Sequence, residues 1–191
     1  LKTVQPIKKK SEIEAIKRVL YNQNIRDYAM FCLGINTGLR ISDLLNLKVE
    51  NVIAEEKYIL IADRIVVREQ KTGKTNDFAV NVSAKAALKE YLQRARLPVD
   101  SFLFPSRQGD GKAISRSQAY NILRKATKKA GLKIQVGTHT MRKTFSYHKY
   151  KKGIEIETLA KLLNHSSPAI TMRYIGIEQE MLDRVVLEDC L

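Results

Sequence analysis

Apolar positions recur at helical spacing along most of the chain, with one interruption where they alternate in twos. Ile13, Ile16, Val19 and Leu20 share one side of a helix that Ser11-Glu12-Ile13-Glu14 is expected to open as a capping box. After Asn24, the residues Ile25, Tyr28, Ala29, Phe31, Cys32 and Ile35 cover most of a helix circumference, which predicts a central buried helix ended by Gly38. Ser42 or Asp43 is the expected cap of the short helix that follows. Between positions 49 and 82 the period drops to two, over residues 58–61, 64–70 and 77–82, so a small antiparallel sheet is predicted there. Lys71-Thr72-Gly73-Lys74-Thr75-Asn76 makes the turn between the last two runs a basic hairpin.

Helical patterning then resumes. Ser83 is the expected cap of a helix that runs to about residue 97 and is stopped by Pro98. Ser101-Phe102-Leu103-Phe104-Pro105 is an apolar anchor, and a Gly-rich charged loop covers 107–112. Ser115-Arg116-Ser117-Gln118 is a second capping box, opening a long helix through Lys129 that Gly131 closes. Thr138 is the expected N-cap of the next helix, which places His139 and Arg142 on one face; Gly153 breaks it. A further helix spans 155–164, and Ser167 before Pro168 caps one that carries Tyr174 near its end. In the tail, Met181, Leu182, Val185, Val186 and Leu187 fall in one helical pattern among Glu178, Glu180, Asp183, Glu188 and Asp189. The predicted fold is therefore mixed and mainly α, with a small antiparallel sheet near the N-terminal third.

Charge adds a partner to this picture. Across 191 residues, 34 Lys and Arg oppose 20 Asp and Glu, leaving +14, a surplus that concentrates polyanions and points to nucleic acid. An apolar content of 44% is enough for a globular core. No apolar run approaches the roughly 18 residues of a membrane span, and the first residues lack a signal-peptide core, so no membrane partner and a cytoplasmic location are expected. Cys32 and Cys190 form neither a disulfide framework nor a metal cluster, and no metal and no cofactor are expected. Arg116, Arg124, Lys125, Lys128 and Lys129 stripe the helix over 116–129, as a solvated face or as a DNA-contacting one.

Chemistry concentrates at a few points. An imidazole at position 139 and a guanidinium at 142 combine proton transfer near neutral pH with bidentate grip on phosphate. Arg40 sits at a helix junction, with Asp43 three residues on as a carboxylate partner. A lysine at the hairpin tip can project as a finger. His165 and Tyr174 follow, nine residues apart.

Taken together and in order, Gly38-Leu39-Arg40-Ile41-Ser42-Asp43-Leu44, His139-Thr140-Met141-Arg142, Leu162-Leu163-Asn164-His165-Ser166-Ser167 and Thr171-Met172-Arg173-Tyr174 resemble the catalytic domain of the tyrosine recombinases, the phage-type integrases. The resemblance runs over essentially the whole chain. Two positions depart from the family pattern: Asp43 stands where Glu is frequent, and Asn164 where Gly often precedes the His. The resemblance implies a site-specific recombinase that cuts and rejoins DNA through a 3′-phosphotyrosyl bond on Tyr174. It implies Arg40 and Arg142 on the phosphate, His139 as base, His165 as a phosphate hydrogen-bond partner and Asp43 as the group that orients Arg40. The leaving 5′-oxygen would be protonated by Lys71, with Lys74 as the alternative. It also implies a homotetramer on double-stranded DNA, accessory DNA-bending or directionality proteins, and a domain plan. In that plan residues 1–10 are a basic linker from an upstream DNA-binding domain, 11–177 the catalytic domain, and 178–191 a tail helix open to exchange between subunits. A type IB topoisomerase-like nicking and resealing enzyme and a non-catalytic DNA-binding module remain as alternatives.

Overall fold

The computed structural model of the chain describes residues 4–57, 59–68, 73–108, 111–177, 183 and 185–187. Among them the helices are α1 (Lys10–Gln23), α2 (Ile25–Thr37), α3 (Ile41–Leu45), α4 (Val82–Ala95), α5 (Arg116–Lys129), α6 (Thr140–Lys151), α7 (Ile156–Leu162) and α8 (Pro168–Ile175). The strands are β1 (Ile53–Glu55), β2 (Leu60–Ile61), β3 (Arg64–Arg68) and β4 (Thr75–Ala79). Helix α2 is the hub, as its all-round apolar pattern requires. Ala29, Met30, Phe31, Cys32 and Leu33 are fully buried, and the helix packs against α1, α4 and α6. Gly34 allows α6 to come close, because a Cβ there would lie 2.6 Å from the Met141 sulfur.

The alternating stretch forms two antiparallel pairs instead of one sheet. β1 pairs with β2 across a register irregularity, and β3 pairs with β4 from Arg64 opposite Ala79 to Arg68 opposite Thr75. In β3 the alternation is obeyed, with Ile65 and Val67 turned to the core and Arg64, Val66 and Arg68 outward. β4 ends before residue 82 because Asn81 leaves the strand to cap α4, its side chain accepting from Ala84 N at 3.0 Å; Asn81, not Ser83, is the cap.

Other expected caps divide by whether a side chain could reach the backbone. Ser115 and Gln118 form both halves of their box, at 3.1 and 2.7 Å. Ser167 accepts from Ile170 N with Pro168 in the first turn, and Asn24 from Arg26 N. Ser11 forms no such box: α1 begins one residue earlier, with Lys9 at the cap position and no side-chain bond. Neither Ser42 nor Asp43 caps α3, whose cap position belongs to Arg40. Thr138 likewise yields to His139, because Thr140 Oγ1 accepts from Gly137 N at 2.8 Å and tightens the turn ahead of the helix.

The stretch before α1 lies along α6. Ile7 is 1% exposed, its N–H donates to Thr144 Oγ1 at 3.0 Å, and His148 Nε2 donates to its carbonyl at 2.9 Å. At the other end of the chain, residues 185–187 are helical and exposed. The remainder of the tail pattern, including Met181 and Leu182, falls outside the described residues, as does Lys71.

Gly38 closes α2 with φ +70°, and a Cβ there would stand 2.5 Å from the Phe145 ring on α6. Gly38→Ala is expected to cost about 2 kcal/mol or more, from left-handed strain plus overpacking, lowering the melting temperature by roughly 5 °C. Gly153 has φ +86° with nothing within 4 Å of its would-be Cβ, so Gly153→Ala carries the strain alone. Thermal melts of the two variants should differ by the contribution of Phe145; equal losses would contradict the packing argument.

Candidate active site

The ends of three helices meet at one guanidinium. Arg142, in the first turn of α6 and 3% exposed, donates from Nη1 to the Gly38 carbonyl at 2.8 Å and from Nη2 to the Leu163 carbonyl at 2.5 Å. The first carbonyl is turned to it by the left-handed end of α2. The second is presented where α7 ends and the chain enters the left-handed residue Asn164, φ +51°. Asn is among the few non-Gly residues that adopt this conformation readily, so the departure from Gly at 164 keeps the turn. Arg40 Nη2 approaches the same Leu163 carbonyl, at 3.5 Å, and this shared acceptor brings the two guanidiniums together. Asp43 lies in the first turn of α3, 2% exposed.

Tyr174 comes to this cluster from α8. His139 Nδ1 and the phenol oxygen are 3.2 Å apart, with the rings edge-on at 5.9 Å. His165 meets another edge, 5.1 Å between centroids, and its Nδ1 lies 2.9 Å from Thr171 Oγ1. Burial pushes the Tyr174 phenol up to about 12, against the pull of the Arg142 and Arg40 charges and a hydrogen bond from Arg142. At neutral pH the phenol is therefore protonated, and any attack by its oxygen requires a base; the 3.2 Å contact puts an imidazole there. Burial, then the charges of Arg142 and Arg40, push His165 down to about 4, so this ring is neutral at pH 7.

Arg40, His139, Arg142, His165 and Tyr174 thus converge from four segments of the chain: the α2–α3 junction, the start of α6, the α7–α8 turn and α8. Lys74 is exposed at the hairpin. Arg116, Arg124, Lys125, Lys128 and Lys129 are exposed on α5, Arg116 bordering the cleft beside Ser42 and Asn46 of the α3 region. Three participants carried no sequence signal. The Gly38 and Leu163 carbonyls are backbone, and Thr171, fully buried against His165, belongs to an ordinary helical pattern. A fourth, Lys143, had a weak one, a lysine adjoining Arg142 in a helix that is buried at that position; its Nζ sits 5.1 Å from the Tyr174 ring centroid. Among the described residues no group of three or more His, Cys, Asp or Glu could hold a metal ion, and no helix is long and apolar enough to cross a membrane.

His165 holds its proton less tightly in the folded chain than in the unfolded one. Between its ordinary 6.5 and about 4 the unfolded chain binds a proton that the folded chain refuses, so this group's contribution to stability is present above pH 6.5 and is lost as the pH falls toward 4. His165→Asn should flatten the fall in melting temperature across that window. An unchanged pH dependence would contradict the neutral, desolvated ring.

The phage integrase family matches residues 8–181. A probable integrase/recombinase YoeC of Bacillus subtilis (strain 168) is 44% identical over 177 residues, covering 93% of this chain and 92% of that protein. Tyrosine recombinase XerA of Pyrococcus furiosus is 30% identical over 186 residues, covering 97% of this chain; the chain spans 62% of its length. Among solved structures, the XerH site-specific recombinase bound to palindromic difH substrate, in a post-cleavage complex, shares the fold at a TM-score of 0.72 and 19% identity, over 93% of this chain and 51% of that one. With the family matched over nearly the whole chain and the arginine, histidine and tyrosine positions drawn together as above, this chain belongs to the phage integrase family, the tyrosine recombinases, and carries their catalytic fold.

Proposed function

We propose that the chain cuts and rejoins DNA at specific sites, with Tyr174 as the nucleophile and a 3′-phosphotyrosyl bond as the intermediate. The observation that supports this most is the contact between Tyr174 Oη and His139 beside two converged arginines. A guanidinium has five N–H donors. Arg142 directs two at backbone carbonyls, and the others serve the phenol oxygen and the non-bridging oxygens of a phosphodiester, with Arg40 beside them. These cations neutralise the anion and hold the extra charge of the pentacoordinate transition state.

The phenol proton passes to His139 as the oxygen bonds to phosphorus, and the bond to the 5′-oxygen breaks. That oxygen takes a proton from a hairpin lysine, Lys71 or alternatively Lys74. The broken linkage is conserved in the phosphotyrosine, and a 5′-hydroxyl from the partner strand reverses the step. In this reading neutral His165 is the tautomer whose Nδ1 accepts a hydrogen bond from the Thr171 hydroxyl, leaving its N–H at Nε2 as a donor to phosphate. Asp43 orients Arg40. The substrate is double-stranded DNA, on which the chain assembles as a homotetramer for exchange; the XerH recombinase that shares the fold is bound to a palindromic difH substrate. Accessory DNA-bending or directionality proteins, a cytoplasmic location and an N-terminal linker to a DNA-binding domain belong to the same reading. In it the exposed Val185, Val186 and Leu187 dock on a neighbouring subunit, and the α5 lysines and arginines contact phosphates.

Tyr174→Phe is expected to abolish covalent capture on nicked suicide duplexes while leaving the DNA dissociation constant within about twofold, since the ring still packs and only the attacking oxygen is gone. A covalent band persisting in this variant would remove Tyr174 from its role. In the same assay a 5′-bridging sulfur, a leaving group needing little protonation, should restore Lys71→Ala; restoration of Lys74→Ala instead would move the acid to that residue.

A further inference from the structure

Lys143 is a lysine where burial favours an uncharged side chain. It is 7% exposed on α6, and burial lowers its pKa from the ordinary lysine value. Among the described residues its hydrogen-bond acceptor is the Val4 carbonyl, 2.9 Å from Nζ. On its other side the ammonium faces the Tyr174 ring, 5.1 Å from the centroid. A methionine would fill similar space without the cost of desolvating a charge. The charge therefore calls for a local reason.

The Val4 carbonyl is held in place by the strap around it. Val4 packs so closely on Gly137 that a Cβ at 137 would lie 2.6 Å from its side chain, and Gln5 N donates to the Gln135 carbonyl at 3.4 Å. Ile7 is fixed to Thr144, the residue after Lys143, and to His148, somewhat over a turn further along α6. Gln5 also reaches the far end of the nucleophile's helix, its Oε1 lying 3.4 Å from where a Cβ on Gly176 would be. The strap and α6 thus form a rigid support, and Lys143 is the side chain that joins it to Tyr174.

The ring itself is bordered on two edges by His139 and His165 and on a face by Lys143. We propose that Lys143 is a positioning residue, its ammonium anchored on the Val4 carbonyl and seated over the Tyr174 ring so that the phenol is held against His139, ready to attack. A cation over an aromatic face attracts it more strongly when both are desolvated, as here, and the attraction grows as the phenol loses its proton. The inference rests on the reading of Tyr174 as the nucleophile.

The test uses the full chain with K143M, which keeps the volume but removes charge and donor, and K143R, which keeps both. The probe is a nicked suicide duplex selected by the unaltered protein from a pool with a randomised core. Melting temperature, DNA dissociation constant and the single-turnover rate of covalent adduct formation at saturating protein are measured for each. K143M is expected to lower the single-turnover rate about tenfold or more, as loss of a near-attack geometry does, with the dissociation constant within about twofold. Its melting temperature should be equal or higher, and K143R should recover most of the rate. An undiminished rate in K143M, a loss residing in the dissociation constant, or a rate loss that tracks a fall in melting temperature without rescue by K143R would each overturn the proposal. If K143M does not fold, K143Q replaces it under the same criteria. Tyr174→Phe is run alongside: an adduct there overturns the nucleophile and this proposal together, whereas its absence there with full activity in K143M overturns this proposal alone.

Discussion

A buried guanidinium has to be satisfied, and in this protein Arg142 is satisfied by the carbonyls at two helix ends. That single requirement ties α6 to the C-terminal turn of α2 through Gly38 and to that of α7 through Leu163. Neither carbonyl would point the right way in a continuing helix. One is turned by a glycine with φ +70° that Phe145 leaves no room to replace, and the other is followed by Asn164 at φ +51°. The chain reversals are therefore part of the site. Because arginine stays charged at any relevant pH, the carbonyls neutralise none of its charge, and in the proposed reaction a phosphodiester supplies the counter-charge.

Around that cation the titrating groups are driven toward the neutral state. Tyr174 rises to about 12 through burial, more than the nearby arginines can offset, and His165 falls to about 4 through burial and those same arginines. A protonated phenol beside one histidine, and a second, neutral histidine near two arginines, suit the proposed reaction, which begins with proton transfer. Burial works on Lys143 in the same direction, while a backbone carbonyl and the Tyr174 ring hold its ammonium in place.

Much of this was visible in the sequence because it was written in periodicity and side-chain identity. The all-round apolar run became α2, the Ser115 to Gln118 box formed in full, and Arg40, His139, Arg142, His165 and Tyr174 lie close together. What stayed hidden is backbone or depends on competition. The two carbonyls that hold Arg142 have no residue signature. The caps at Ser11, Ser83 and Thr138 lost to neighbouring residues, since several residues in reach of a helix start compete for it and sequence does not rank them. Alternation predicted strands but not that they would pair as two separate ribbons, because alternation marks which residues face the core and not which strands are neighbours. Lys143 has only a weak signal, a lysine adjoining Arg142, and its burial is what distinguishes it.

The central claim is that the arginine-bound phosphate is attacked by one particular phenol among the chain's eight tyrosines. The direct measurement is to trap the protein on a nicked suicide duplex, digest both partners, and locate the nucleotide-bearing peptide by mass spectrometry. The account predicts a single modified peptide spanning Thr171 to Tyr174, with the nucleotide joined through its 3′-phosphate to the tyrosine oxygen. A 5′-phosphate linkage, or attachment to any other residue, would contradict it.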